Sequence, residues 1–420
     1  MDTIYIKGGR KMSGSIKVTT AKNSLLPILA GTIMCNGYVE IRRCTKYTDV
    51  EIMLDILNDL GCKVKSYDDD VLIDARNARE YFIKEEFSNK VRSSIFMVGS
   101  LLTRFKKAKV AYPGGCNIGN RPIDLHIKGL KALNVKIEEK HGYIYCDGSN
   151  MRSNIVHLDF PSVGATENLI MASIMLKGTT MIYNCACEPE IEDLQYFLNS
   201  MGAKVSGAGS NVITITGVTA LHSTSYVPYP DRIITGTYLI ASAMTKGNIR
   251  LEEVIPEHNY ALISKLKQAG CKVKVKPKSI EIFTNKTLKS IPKIETQVYP
   301  GFPTDLQNQI LVLQTISKGV SIVTENLFET RFKIVNELIK MGADCSVHKS
   351  STIIKGVSKL YGANVTASDL RGGAGLVIAG AVADGYTTVN GVEHIDRGYK
   401  DIEKDLCRLN VDIKRISPNM

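Results

Sequence analysis

One five-residue phrase recurs six times along the chain and limits the folds open to it. The copies are Leu60-Gly61-Cys62-Lys63-Val64, Leu133-Asn134-Val135-Lys136-Ile137, Met201-Gly202-Ala203-Lys204-Val205, Ala269-Gly270-Cys271-Lys272-Val273, Met341-Gly342-Ala343-Asp344-Cys345 and Leu409-Asn410-Val411-Asp412-Ile413. Successive copies stand 73, 68, 68, 72 and 68 residues apart. In each, a helical stretch ends, Gly or Asn supplies the left-handed residue that closes a helix, and strand-like alternation begins. Internal duplication of one folding unit is the simplest account.

A second mark keeps the same period: Asn36-Gly37-Tyr38, Lys107-Ala108-Lys109, Lys177-Gly178-Thr179, Lys246-Gly247-Asn248, Lys318-Gly319-Val320 and Asp384-Gly385-Tyr386. Each ends an apolar stretch and opens a strand. The stretches before them, such as residues 25–35, 169–176, 235–245 and 376–383, are apolar nearly all round. A helix of that kind is buried on every side. The expected fold class is therefore α/β, with six units forming two three-unit domains around buried central helices.

Length agrees, because 420 residues exceed one ordinary core and point to two domains of roughly 200 residues each. The formal charge of +11 suits a nucleic acid, an anionic membrane or a phosphorylated substrate. The basic residues are scattered, without runs of five or six and with few aromatics between them, which disfavours a nucleic-acid platform. No segment approaches the roughly 18 apolar residues of a membrane span, and the charged start lacks a signal-peptide apolar run, so neither a membrane nor secretion is expected. Ten cysteines are then thiols of a reducing cytoplasm rather than a disulfide framework. Cys185-Ala186-Cys187 has no second pair at metal spacing, and no metal is expected.

The stretch Tyr112-Pro113-Gly114-Gly115-Cys116 followed by Ile118-Gly119, Arg121-Pro122 and Asp124-Leu125-His126 sets one thiol in a glycine loop beside a guanidinium. Arg104, Lys106, Lys107, Lys109 and Arg121 surround it in sequence, and any of them that approach it in space would favour thiolate and attract anions. Few core cysteines sit among three glycines and a proline, so Cys116 is a candidate reactive group.

Six units with Pro113-Gly114-Gly115-Cys116 in the second strongly resemble the enolpyruvyl transferase family. The likeness spans essentially the whole chain. It includes Ala21-Lys22-Asn23-Ser24, Arg92-Ser93-Ser94, Ser162-Val163-Gly164-Ala165-Thr166, Glu188-Pro189-Glu190, Pro230-Asp231-Arg232, Phe302-Pro303-Thr304-Asp305, Glu325-Asn326, Phe328-Glu329, Arg331-Phe332, Asp369-Leu370-Arg371 and His394-Ile395-Asp396-Arg397-Gly398-Tyr399. The resemblance implies an inside-out α/β barrel pair, one domain over residues 22–229 and the other combining 1–21 with 230–420. Substrates would bind in the cleft between them, with the Cys116 loop as a lid.

Within that family the cysteine loop and the stretch after it are similar to the branch whose acceptor is UDP-N-acetylglucosamine. The implied reaction moves the enolpyruvyl group of phosphoenolpyruvate to the sugar 3-hydroxyl and releases phosphate, the first committed step of peptidoglycan precursor synthesis and the target of fosfomycin. Cys116 resembles the family's proton donor and Asp305 its candidate base at the sugar hydroxyl. Lys22, Arg121 and Arg397 look like the main phosphoenolpyruvate clamp, with Asn23, Arg331 and Arg371 beside them. Converging guanidinium forks suit a ligand that carries both carboxylate and phosphate.

Arg121, Pro122, Ile123, Asp124 and Leu125 match the uridine stretch, and Ser162, Val163 and Gly164 match the diphosphate contact. Arg92 and Leu327 are expected near the UDP-sugar, and Asp369 is a further cleft candidate. Phe160-Pro161 stands where some members carry a basic residue, which implies a weaker auxiliary contact to the diphosphate. No cofactor is implied. The nearest alternative is the sister enzyme that uses shikimate 3-phosphate, which lacks the cysteine lid; a basic nucleic-acid-binding or RNA end-processing protein is a third class.

Overall fold

The structure is a computed structural model that describes residues 2–114 and 122–417. Cys116 and Arg121, named above as candidates, lie outside the described residues. The chain divides into two compact units, one of residues 2–19 with 230–417 and the other of 20–114 with 122–229.

Each unit holds three four-stranded sheets. In each sheet a short strand runs parallel to the strand that opens a repeat, and antiparallel partners complete the other side. One example orders Ile155–His157, Thr179–Tyr183, Val212–Thr216 and Lys204–Ser206. In the sixth repeat the N-terminal strand Thr3–Lys7 lies antiparallel between Tyr386–Asn390 and Asp412–Ile416. Strand Ser13–Lys17 then pairs in parallel with Asn248–Glu252. The first residues of the chain thus complete two sheets of the unit that holds its last residues.

The repeated phrase works as its chemistry dictates. Gly61, Asn134, Gly202, Gly270, Gly342 and Asn410 all have φ between 66° and 101°. The backbone there reverses from an outer helix into a strand, as in Tyr260–Gln268 leading to Lys272–Lys276. The outer helices are amphipathic: Thr48–Asp59 buries Val50, Met53, Leu54, Ile56 and Leu57 on one face.

The other helices are buried all round. Lys22–Thr32, Met97–Phe105 and Val163–Ser173 belong to one unit, and Arg232–Met244, Gln307–Thr315 and Leu370–Val382 to the other. In the latter trio each helix packs against both others. Leu25, Ile28, Leu29, Leu239, Ile310, Leu313, Val377 and Ile378 have no exposed surface, and burial of each such side chain contributes about 1.5–3 kcal/mol. These helices start earlier than the apolar runs suggest, because their first turns hold polar residues that are buried too, among them Asn308 and Thr235. Each unit therefore has its helices inside and its sheets outside, the inside-out α/β arrangement that the resemblance implies. Among the described residues no helix is long and apolar enough to cross a membrane.

Gly270 isolates the backbone term, because a Cβ added there meets nothing within 4 Å while φ is +101°. Gly270→Ala is expected to lower the unfolding free energy by about 1–2 kcal/mol in urea titration. Gly270→Asn should cost less, as Asn fills the same place at 134 and 410.

Candidate active site

Within each unit, several candidate residues stand at or just before the N-terminal ends of the central helices. In the unit of residues 2–19 and 230–417, Asp305 lies in a one-turn 3-10 helix that runs into Gln307–Thr315. Arg371 is the second residue of Leu370–Val382. Arg331 opens another 3-10 turn. Asp305 bridges the two arginines: Arg331 Nη2 donates to Oδ1 at 2.7 Å and Arg371 Nη2 to Oδ2 at 2.8 Å. The arginine side chains are 4% and 5% exposed, against 21% for the carboxylate. Burial alone would raise the Asp305 carboxyl, but Arg371 and Arg331 more than offset it and hold it well below the ordinary range.

The frame around this triad is specific. Glu325, 2% exposed, accepts from the amides of Leu327 and Phe328 at 2.8 and 3.1 Å and from the Thr304 hydroxyl at 2.8 Å. One carboxylate thereby fixes the Leu327 turn against the Asp305 segment. With its amide oriented as its neighbours dictate, Asn308 donates to the Arg331 carbonyl at 2.9 Å and accepts from Gly372 N at 3.0 Å. Asp369 caps the Arg371 helix, accepting from the amides of Arg371 and Gly372 at 3.0 and 2.9 Å. Arg397 follows the short helix Val392–Asp396 and is half-buried.

In the other unit Lys22 opens the helix Lys22–Thr32, followed by half-buried Asn23. Lys22 Nζ donates to Asp49 Oδ2 at 3.1 Å, with side-chain exposures of 12% and 4%. Ser162 caps Val163–Ser173, and a Cβ on Gly164 would stand 3.0–3.2 Å from Phe96 and His126. Asn168 ties this helix to its neighbours. Its Nδ2 lies 2.8 Å from His126 Nδ1 and donates to Ile95 O, and its Oδ1 accepts from Gly99 N at 2.7 Å. Arg92 opens the turn that contains Ile95, and Asp124–Ala132 carries His126. Pro122 and Asp124 are exposed, Ile123 is buried and Leu125 half-buried. Arg92, the Ser162-Val163-Gly164 turn and the Pro122–Leu125 stretch are thus held in one arrangement.

Such an arrangement offers cationic and amide donors to an anionic ligand from several helix starts. Comparison with known proteins identifies its kind. The sequence profile of EPSP synthase (3-phosphoshikimate 1-carboxyvinyltransferase) matches residues 6–406. The chain belongs to this family of enolpyruvyl transferases.

Curated relatives span its full length. "UDP-N-acetylglucosamine 1-carboxyvinyltransferase 2" of Caldanaerobacter subterraneus subsp. tengcongensis is 51% identical, covering 99% of this chain and 100% of its own. "UDP-N-acetylglucosamine 1-carboxyvinyltransferase 1" of Carboxydothermus hydrogenoformans is 45% identical, covering 99% of both. Among solved structures, the enolpyruvyl transferase NikO from Streptomyces tendae superposes with a TM-score of 0.88 at 20% identity, covering 99% of both chains. EPSP synthase from Acinetobacter baumannii does so with a TM-score of 0.77 at 18% identity, covering 99% of this chain and 100% of that one. At such identities the two structures support the shared enolpyruvyl transferase fold alone.

Sequence reasoning missed Asp49 and Asn168 as members of the site's frame, and missed the buried Glu167 beside Asn168. Asn168 and Glu167 sit inside a helix that reads as core, and Asp49 pairs with a residue 27 positions away. The signal available was a Glu-Asn pair early in a helix otherwise apolar all round. Among the described residues no group of three or more metal-ligating side chains is assembled.

Glu167 is 1% exposed, and its Oε2 has no hydrogen-bond partner among the described residues. Burial first, then the charges of Glu190 and Glu188, push its carboxyl well above the ordinary range. The group is therefore protonated in the folded chain at a pH where the unfolded chain has lost that proton. Stability from this difference is full below about pH 4.3 and is lost as pH rises through the raised folded value. Glu167→Gln is expected to raise the urea midpoint at neutral pH and flatten the stability profile from about pH 4.5 upward. A variant profile parallel to wild type would show that Glu167 is not the group responsible.

Proposed function

We propose that this chain transfers the enolpyruvyl group of phosphoenolpyruvate to the 3-hydroxyl of UDP-N-acetylglucosamine, releasing phosphate. The observation that carries this reading is the 51% identity, over 99% of this chain, to a relative named for that reaction. The cysteine loop and the uridine-like stretch Arg121-Pro122-Ile123-Asp124-Leu125 support it. Peptidoglycan precursor synthesis follows from the reaction. A reducing, cytoplasmic setting is part of the proposal, because an unpaired Cys116 thiol is its proton donor.

The chemistry is addition followed by elimination. The sugar oxygen forms a bond to the vinyl carbon that bears the phosphate, the methylene takes a proton, and the hydroxyl gives one up. A thiol is mostly protonated at neutral pH, so Cys116 suits the donor's part. Loss of phosphate and of one methyl proton then restores the double bond in the product. Lys22, Asn23, Arg121, Arg331, Arg371 and Arg397 hold phosphoenolpyruvate in this reading. Arg92, Pro122, Ile123, Asp124, Leu125, Ser162, Val163, Gly164 and Leu327 hold the UDP-sugar, and Asp305 takes the hydroxyl proton. The 3.1 Å contact between Lys22 Nζ and Asp49 Oδ2 orients the ammonium in this reading.

Shikimate 3-phosphate is the competing acceptor, since the matching family profile is described by that activity. Phosphate release from phosphoenolpyruvate, measured with each acceptor in turn, decides between them. Release is expected with UDP-N-acetylglucosamine alone and is expected to fall at least about 100-fold in Cys116→Ala, the scale of a lost general acid. Cys116→Asp should retain turnover, because a carboxyl can replace the thiol as acid, while losing inactivation by the thiol-alkylating epoxide fosfomycin. Release with shikimate 3-phosphate alone would overturn the acceptor assignment.

A further inference from the structure

The Asp305 triad leaves donors over. A guanidinium carries five N–H groups. Arg331 spends one nitrogen on Thr304 O and another on Asp305 Oδ1, while its Nε is buried without a hydrogen-bond partner among the described residues. Arg371 spends Nη2 on Asp305 Oδ2, while its Nη1 is buried without a hydrogen-bond partner among those same residues. The triad itself, two guanidiniums and one carboxylate, carries a net positive charge, with Asp231 a further carboxylate acting on Arg371. Unmet donors on buried charged groups are costly and are met when an acceptor arrives.

The geometry singles out the member able to yield. Both arginines are anchored and almost inaccessible, at 3% and 4% exposure. Asp305 is the more accessible partner, with its side chain 21% exposed against 4% and 5%, and it meets each guanidinium with one oxygen rather than as a bidentate fork. An incoming carboxylate or phosphate brings more acceptor oxygens than Asp305 commits, so it satisfies the Asp305-facing nitrogens and the orphaned ones together.

We infer that Asp305 is the resident counter-ion of an anion site formed by Arg331 and Arg371, and that phosphoenolpyruvate takes these arginines over from it. The exchange frees the carboxylate to accept the acceptor's hydroxyl proton only when the donor substrate is in place. This inference rests on the function proposed above. It adds that Asp305 opposes donor binding in the resting protein and gains its use as a base from that same binding. By linkage, whatever weakens the Asp305 contact must strengthen anion binding.

The test is calorimetric titration of phosphoenolpyruvate, and separately of inorganic phosphate, into wild type and Asp305→Asn at constant ionic strength and without acceptor. Asparagine keeps the size and removes the competing charge. Affinity for both anions is expected to rise roughly tenfold, or about 1.4 kcal/mol, although turnover is lost. Equal or weaker binding by the variant would overturn the inference. Because removal of one buried partner weakens the fold, thermal unfolding with increasing phosphate supplies a second reading. The midpoint of the variant should climb more steeply with phosphate than that of wild type, and an equal or shallower climb overturns the inference. Failure of wild type to release phosphate with UDP-N-acetylglucosamine would strike the proposed function instead, leaving the anion titrations to be judged on their own.

Discussion

A helix that is apolar on every side must be surrounded, and this chain meets that demand six times. Each central helix lies against others of its own unit, with sheets outside them, so its whole circumference leaves water. The rest of the architecture follows from enclosing it. Each repeat sends a strand outward after its central helix, returns through an amphipathic helix, and reverses again at a left-handed Gly or Asn. The N-terminal strands Thr3–Lys7 and Ser13–Lys17 are drawn into sheets of residues 248–283 and 364–416 for the same reason, since an unpaired sheet edge would leave backbone donors and acceptors unmet.

The same repetition places the chemistry. Lys22, Ser162 and Arg371 stand at the starts of central helices, and Arg92 and Asp305 occupy the 3-10 turns that lead into two more. The first turns of a helix present unpaired amides and a partial positive charge. Duplicating one unit therefore duplicates an anion-tolerant helix start, and later side-chain changes need only alter which group is displayed there. Rigid, fully buried helices suit this purpose, since their ends are positioned by packing on all sides.

Much of the fold was legible because its determinants are local. The left-handed Gly or Asn acts within five residues, and the burial of a central helix shows in its own composition. The helix starts were less legible: Val163–Ser173 begins six residues before its continuous apolar run because Ala165, Thr166, Glu167 and Asn168 are buried with it. The candidate site came from ordered motifs, whereas its internal pairing did not. Asp305 finds Arg331 and Arg371 at separations of 26 and 66 residues, and Asn168 finds His126 and Gly99 at 42 and 69. Only the fold brings such partners together, so sequence could name these groups without saying which of them neutralise one another.

Two buried carboxylates show why that pairing matters more than residue type. Asp305 and Glu167 are both largely removed from water, and burial raises both. Two guanidiniums overcome that effect at Asp305 and keep it ionised, while the charges that act on Glu167 among the described residues are other carboxylates, which keep it neutral. An ionised carboxylate that has surrendered its cations is a base, whereas a neutral one in an acidic cluster is already a proton donor or a passive hydrogen-bonding group. Opposite protonation states thus arise from one side-chain chemistry through the charges set around it. The Arg331 and Arg371 segments, stitched together by Asn308, consequently govern the state of Asp305 as strongly as its own place in the Thr304–Leu306 turn does.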